Sequence, residues 1–68
     1  MVQAQILSKE KTILEDIWRV VYLGDGKSGY FLLNDYQRGS GLDELEVGSE
    51  RSVWLVNGRK HQFFSRVV

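Results

Sequence analysis

The residues with the clearest chemical potential lie between Arg51 and Val68, where cations and aromatic rings alternate. Positive charge suits the phosphates of a nucleic acid, and aromatic faces suit stacking against unpaired bases. The same rings are also needed in the core of so short a chain, which would leave the cations on a solvated edge. The candidate nucleic-acid-binding set consists of Arg51, Trp54, Arg59, Lys60, Phe64 and Arg66.

His61 is the only histidine, and the sequence near it lacks the partners that catalysis requires. A catalytic histidine needs a nucleophile and an orienting carboxylate within reach. Ser52 and Ser65 are near in sequence, but the last acid of the chain is Glu50. One histidine in a chain without cysteine does not make a zinc site. We therefore expect no enzyme and no metal, and we expect His61 to lie opposite Trp54 on a neighbouring strand.

The glycines of segment 24–29 match the G-x-G-x-x-G pattern of dinucleotide-binding loops. That chemistry needs a helix to begin at the loop, so that its N-terminus faces the pyrophosphate. The run from Tyr30 to Leu33 instead has the composition of a strand. A P-loop is not formed either, because its first glycine would fall at Val21. The glycines are therefore interpreted as turn residues, and we expect no cofactor.

Charge is balanced over the chain, with nine basic and nine acidic residues, but it is not balanced along it. Segment 35–50 holds most of the acids and a single cation, whereas segment 51–68 holds cations and no acid. The acids Asp43, Glu44, Glu46 and Glu50 lack the spacing of a calcium loop and are interpreted as solvated. Opposite charges in separate segments favour steered association with a protein partner or with a second copy.

Size and composition predict one small domain over residues 1–68. The hydrophobic content of 43% is ordinary for a globular chain, and the absence of cysteine fits a cytoplasmic location. Residues 1–5 lack the basic start of a signal peptide, and no apolar run approaches the roughly 20 residues of a membrane helix. We expect no membrane partner. A core this small makes oligomerisation or docking to a partner plausible.

The strongest structural signal is a β-hairpin from Trp18 to Asn34. Two runs rich in β-branched and aromatic residues flank Asp25-Gly26, a pair that favours a type I′ turn. Counting outward from this turn pairs Tyr22 with Gly29, Val20 with Phe31, and Trp18 with Leu33. Apolar side chains then share one face, and a slip by one residue would exchange the faces. A longer loop over 24–29 is the alternative.

Weaker signals predict the elements on either side of the hairpin. Val2 to Leu7 alternates apolar and polar residues, as a half-buried strand does, and the polar stretch 8–11 predicts a turn. Residues 12–18 fit either a helical turn, with a capping box, or a continued strand. Beyond a loop over 35–41, an acidic segment has three expected apolar anchors and ends in a turn over 47–49. These anchors are Leu42, Leu45 and Val47.

Asn57-Gly58 predicts a second hairpin. A two-residue loop would pair Trp54 with His61, Val56 with Arg59, Ser52 with Phe63, Leu55 with Lys60, and Val53 with Gln62. Neither face of that hairpin is purely apolar, so a three-residue loop with a bulge is the alternative.

About five short strands joined by tight turns predict an all-β fold. Parallel pairing needs a crossover of a dozen or more residues, for which we expect little room. The predicted architecture is a small antiparallel barrel or roll, SH3-like or OB-like, with one short helical turn near residues 12–18 if that alternative holds.

Two functions fit these features. The first is a non-catalytic interaction module, an adaptor, accessory subunit or inhibitor that binds a protein partner or itself. Its candidate residues are Tyr30, Tyr36 and Arg38, on the mixed face of the first hairpin and the loop beside it. The alternative is a nucleic-acid-binding barrel that uses the basic aromatic set of the C-terminal hairpin.

Overall fold

A computed structural model describes residues 1–34 and 41–68, and the fold is all-β, as predicted. The elements are, in order, β1 (Val2–Lys11), β2 (Ile17–Gly24), β3 (Lys27–Asn34), a 3₁₀ helix (Leu42–Glu44), β4 (Glu50–Asn57) and β5 (Gln62–Val67). Tyr36 and Arg38, two of the predicted partner-binding residues, lie outside the described residues.

The strands close into a barrel in the order β1-β2-β3-β5-β4, with β1 bonded to both β2 and β4. All strand contacts are antiparallel except that of β3 with β5, where Phe31 lies opposite Gln62 and Leu32 opposite Phe63. The expectation that no strands pair in parallel is corrected at this contact. The connection from β3 to β5 contains β4 and is long enough for a crossover. This strand order is that of the OB-type barrel, one of the two types predicted.

The hairpin of β2 and β3 has the predicted register. Trp18 lies opposite Leu33, Val20 opposite Phe31, and Tyr22 opposite Gly29. Asp25 and Gly26 have φ values of 53° and 75°, as a type I′ turn requires. The two-residue loop is therefore confirmed over the longer alternative.

The core lies inside the barrel and is built on this hairpin. Val20 and Phe31 are fully buried, and Leu33 is 3% exposed, while Trp18 and Tyr22 pack at the edge of the same cluster. The other strands and the acidic segment complete it with Ala4, Ile6, Leu42, Leu45 and Val53. Val47, predicted as a third anchor, is 60% exposed, because the turn over 47–48 carries it away from the barrel.

The N-terminal strand is longer than predicted. Segment 8–11 does not form a turn but pairs with β2, after an irregularity between Ile6 and Ser8 that shifts the register. The chain turns over residues 13–16 instead, so of the two alternatives for residues 12–18 the helical turn is not formed, and strand holds only from Ile17, where β2 begins. The Thr12 hydroxyl holds this turn, since it donates to the Ile17 carbonyl at 2.7 Å and accepts from the Leu14 N–H at 3.2 Å. Within residues 1–34 and 41–68 the one short helical element is the 3₁₀ helix, which comes after β3 in the chain.

The register predicted for the second hairpin is wrong. Asn57 lies opposite Gln62, which leaves a four-residue loop over 58–61 that is closed by the Gly58 N–H on the His61 carbonyl at 2.8 Å. The ladder shifts again between Trp54 and Leu55. The physical reason is burial, because this register brings Phe64 opposite Leu55 and over the core, where its ring stacks on Phe31 with centroids 5.7 Å apart.

Candidate functional site, an outer aromatic face

Strands β3, β5 and β4 present a continuous set of outward side chains. Partners across a ladder point to the same side of a sheet. Leu32 lies opposite Phe63, and Phe63 lies opposite Val56, so the outward set runs from β3 across β5 to β4. Together with loop 58–61 it forms what we call the outer aromatic face. Its members are Tyr30, Leu32, Trp54, Val56, Arg59, Lys60, His61, Phe63 and Arg66.

Tyr30 joins this face to the loop through His61. The Tyr30 hydroxyl lies 2.5 Å from His61 Nδ1, and the two ring centroids are 5.6 Å apart. The predicted pairing of His61 with Trp54 is therefore wrong, because the longer loop moves His61 toward β3. Tyr30 is 38% exposed, so its ring remains accessible while its hydroxyl holds the loop.

Phe63 and Phe64 are adjacent in β5, and their rings point to the outside and the inside of the barrel respectively. The Phe63 ring lies over Gly58, where a Cβ atom would come within 2.6 Å of it, and Phe63 is 43% exposed. The Phe64 ring packs inward and lies against Gly41, where a Cβ would come within 2.8 Å of it. Phe64 belongs to the predicted nucleic-acid-binding set but contributes to the core, and Phe63 is the phenylalanine that the outer face presents.

Trp54 and Arg66 form the other end of the face. They lie opposite each other on β4 and β5, and the Arg66 guanidinium sits 5.8 Å from the Trp54 ring centroid. Trp54 is 40% exposed. Beside them is an open depression lined by Trp54, Leu55, Val56, Ser65 and Arg66. Trp54 provides a ring on which a base could stack, and Arg66 provides a positive charge that stays partly hydrated.

A hydrogen-bonded chain beneath the face fixes the start of β5. The Tyr22 hydroxyl donates to Gln62 Oε1 at 3.1 Å, and Gln62 Nε2 donates to Asn57 Oδ1 at 3.2 Å. Strands β2, β5 and β4 are thereby tied together at the base of loop 58–61. This support holds the adjacent Phe63 and His61 in place while the loop itself stays exposed.

The predicted cations separate into two groups. Arg59 and Lys60 are exposed in loop 58–61, and Arg66 lies on β5, so these three belong to the outer aromatic face. Arg51 does not, since it lies opposite Ala4 near the start of β4, with its guanidinium 4.0 Å from the Glu44 carboxylate. Sequence reasoning missed Phe63. The alternation of a strand was the available signal, because it forces one of two adjacent phenylalanines outward.

Charge is separated along the barrel. Glu50 stands at the start of β4 and Asn57 at its end, which at about 3.3 Å per residue places them roughly 23 Å apart, and loop 58–61 follows Asn57. The acids Asp43, Glu44 and Glu46 are exposed beside that start, because the Gly48 N–H donates to the Ile6 carbonyl and docks their segment on β1. An anion at loop 58–61 is therefore attracted by Arg59 and Lys60 and is distant from these acids, whereas Trp54 and Arg66 lie midway along β4.

Within residues 1–34 and 41–68, no three His, Cys, Asp or Glu side chains are grouped so that they could hold a metal ion. None of the helical structure in those same ranges is long and apolar enough to cross a membrane. Comparisons with protein-family models, with curated proteins and with solved structures find no match for the chain.

Proposed function

We propose that the protein is a non-catalytic module that binds single-stranded nucleic acid on its outer aromatic face. The observation that carries the proposal is the grouping of exposed rings with cations on one side of the barrel. Tyr30, Trp54 and Phe63 are each between 38% and 43% exposed, and Arg59, Lys60 and Arg66 lie among them. In a chain this short, several large aromatic side chains grouped outside the core indicate a binding surface.

The chemistry matches the two parts of an unpaired nucleotide. A base has an apolar face that stacks on an aromatic ring, which contributes about 1–3 kcal/mol per base in single-strand binders. Its phosphate is an anion that Arg and Lys attract. No acid occurs in β3 or anywhere after Glu50, so the face carries no repelling carboxylate of its own.

The fold supports this role through strand β3 and through the loop between β4 and β5, which the outer aromatic face shares with the binding face of OB-type barrels. OB-type barrels bind oligonucleotides on the face of strands 2 and 3, with help from the loops between strands 1 and 2 and between strands 4 and 5. The basic loop 58–61 occupies the second of these positions. Because one fold hosts many functions, the support comes from the side chains and not from the barrel.

Fluorescence anisotropy with labelled single-stranded RNA, single-stranded DNA and duplex DNA of equal length tests the proposal. We expect binding of single strands at low salt, weaker binding of the duplex, and loss of most single-strand affinity in a Tyr30→Ala/Phe63→Ala variant. Val47→Ala, at an exposed apolar position beside the acids, is the matched control. Wild-type protein that binds no single strand at tens of micromolar would overturn the proposal.

A second candidate function, a protein-interaction module, is favoured by the turn between β1 and β2. Ile13 is 98% exposed and Leu14 64% exposed, and the Thr12 hydroxyl bonds hold both in a defined turn. Two adjacent aliphatic side chains presented in this way suit an apolar pocket on a protein partner or on a second copy. Glu15 and Asp16 are exposed beside them and would face a basic rim on that partner.

Native mass separates the two candidates. If the turn binds a protein or a second copy, the mass measured in lysate or at high concentration should exceed that of a monomer. It should return to the monomer value in an Ile13→Ser/Leu14→Ser variant but not in Phe63→Ala. A monomeric mass under all these conditions would remove the second candidate.

A cytoplasmic location is part of both proposals, since a cysteine-free chain has no need of an oxidising compartment.

A further inference from the structure

We infer that a single strand crosses the outer aromatic face diagonally and places three consecutive unstacked bases on Tyr30, Phe63 and Trp54. The inference rests on the proposed function and adds a path, a length and a conformation for the bound strand. It is drawn from the registers of the two ladders that meet at β5.

The strand registers place Tyr30, Phe63 and Trp54 on a diagonal across the three strands. Tyr30 stands two residues before Leu32, which is the partner of Phe63, and Trp54 stands two residues before Val56, which is also a partner of Phe63. Because β3 runs parallel to β5 and β4 runs antiparallel to it, these two offsets point in opposite directions along the sheet. Phe63 therefore lies between Tyr30 and Trp54 on a diagonal that joins β3 to β4, and the β4–β5 ladder shifts between Trp54 and Leu55 on the Trp54 side.

Ring spacing determines which form of nucleic acid fits. Diagonal neighbours in a sheet are about 7–8 Å apart, which is more than twice the roughly 3.4 Å between successive bases of a strand in B-DNA. Bases that remain stacked on each other cannot each rest on a separate ring at that interval. An extended single strand with its bases separated meets this spacing, and a duplex does not.

Cations lie at both ends of the diagonal. Arg66 lies against Trp54 at one end, and Arg59 and Lys60 belong to the loop whose His61 is bonded to Tyr30 at the other. The middle ring, Phe63, rests on Gly58 and has apolar neighbours, Leu32 and Val56, across its two ladders. Phosphates are thus attracted at the two ends, and the base on Phe63 meets an apolar environment.

The test pairs each ring variant with an oligonucleotide that lacks one base. Tyr30→Ala, Phe63→Ala and Trp54→Ala are titrated with a labelled short single strand, and with versions in which one of three consecutive central positions is abasic. We expect each substitution to weaken binding of the intact strand about 5- to 150-fold. We also expect each substitution to have no further effect on the strand that lacks the base proposed to stack on the substituted residue.

Phe63→Ala should have no further effect on the strand whose middle position is abasic. Tyr30→Ala and Trp54→Ala should behave in the same way with the two outer abasic positions. Which outer position corresponds to which residue gives the polarity of the bound strand. Val47→Ala should change none of these affinities. Substitution effects that are the same with every abasic strand, or no effect at Trp54, would overturn the diagonal path while leaving single-strand binding intact. Absence of binding by the wild-type protein would instead remove the proposed function itself.

Discussion

At the residue scale, the contrast between Phe63 and Phe64 governs both stability and the proposed site. Alternation along β5 sends their rings to opposite sides of one strand. Each ring rests on a glycine, Gly58 outside and Gly41 inside, where a Cβ would approach it to less than 3.0 Å. Glycine at these two positions lets the rings lie directly against the backbone.

Phe64→Ala should therefore destabilise the protein by about 2–3 kcal/mol, because it removes the ring that stacks on Phe31. Phe63→Ala should change stability by less than about 1 kcal/mol, since the ring is largely outside the core, yet it should weaken single-strand binding. Urea unfolding and anisotropy on the same two variants check this reciprocal pattern. Equal loss of stability in both would contradict the outward position of Phe63.

Thr12 provides a second test at this scale. Thr12→Val keeps the shape of the side chain but removes the hydroxyl that bonds the Leu14 N–H and the Ile17 carbonyl, which should cost about 1 kcal/mol. Thr12→Ser retains the hydroxyl and should lose less stability. Chemical unfolding measures both variants, and an unchanged Thr12→Val midpoint would show that the turn does not depend on these bonds.

At the element scale, the β2–β3 hairpin and the β4–β5 hairpin differ in how much of each is determined locally. The first hairpin has a type I′ turn whose two residues both take positive φ. In the second, Gly58 does not have positive φ, and the loop expands to four residues. Its register follows from burying Phe64 and from the side-chain bonds of Gln62, and not from the Asn-Gly pair.

Gly26→Ala tests the local determinant. Its φ of 75° strains an alanine by about 1–2 kcal/mol, although nothing lies within 4 Å of the new Cβ atom. Gly26→Asn should lose less, because asparagine tolerates the left-handed region. Unfolding midpoints of the two variants give the comparison. If alanine at this position costs no stability, the turn is not type I′ in solution.

At the scale of the whole molecule, the zero net charge conceals a separation between an acidic end and a cationic face. That separation has a measurable consequence if nucleic acid binds as proposed. Three cations on the outer aromatic face, Arg59, Lys60 and Arg66, should give a slope of about −2 in a plot of log affinity against log salt for a single strand.

Neutralising one of these three cations should make the slope of log affinity against log salt less steep. Lys60→Gln should reduce its magnitude by about 0.7, the contribution of one phosphate contact on a single strand. The matched control is Lys11→Gln, which neutralises a lysine that lies over Trp18 at the end of β1, away from the outer aromatic face. Anisotropy titrations at several salt concentrations provide the slopes. Equal effects of the two substitutions would place the bound strand elsewhere on the barrel.

The sequence by itself determined the strand-rich fold class and the complete β2–β3 hairpin. Alternation of apolar residues and an Asp-Gly pair are local, so neighbouring residues settle them without help from the rest of the chain. The cations Arg59, Lys60 and Arg66 were also identified in this way, since their identity is read directly from the chain.

Only the tertiary structure decided the rest of the candidate site. Whether Phe63 or Phe64 faces outward depends on which side of β5 covers the core, and contact with Phe31, which is distant in sequence, places Phe64 on that side. The bond of Tyr30 to His61 likewise requires the parallel contact of β3 with β5. Such pairings gain their free energy from burial between remote segments, and a local pattern does not contain that information.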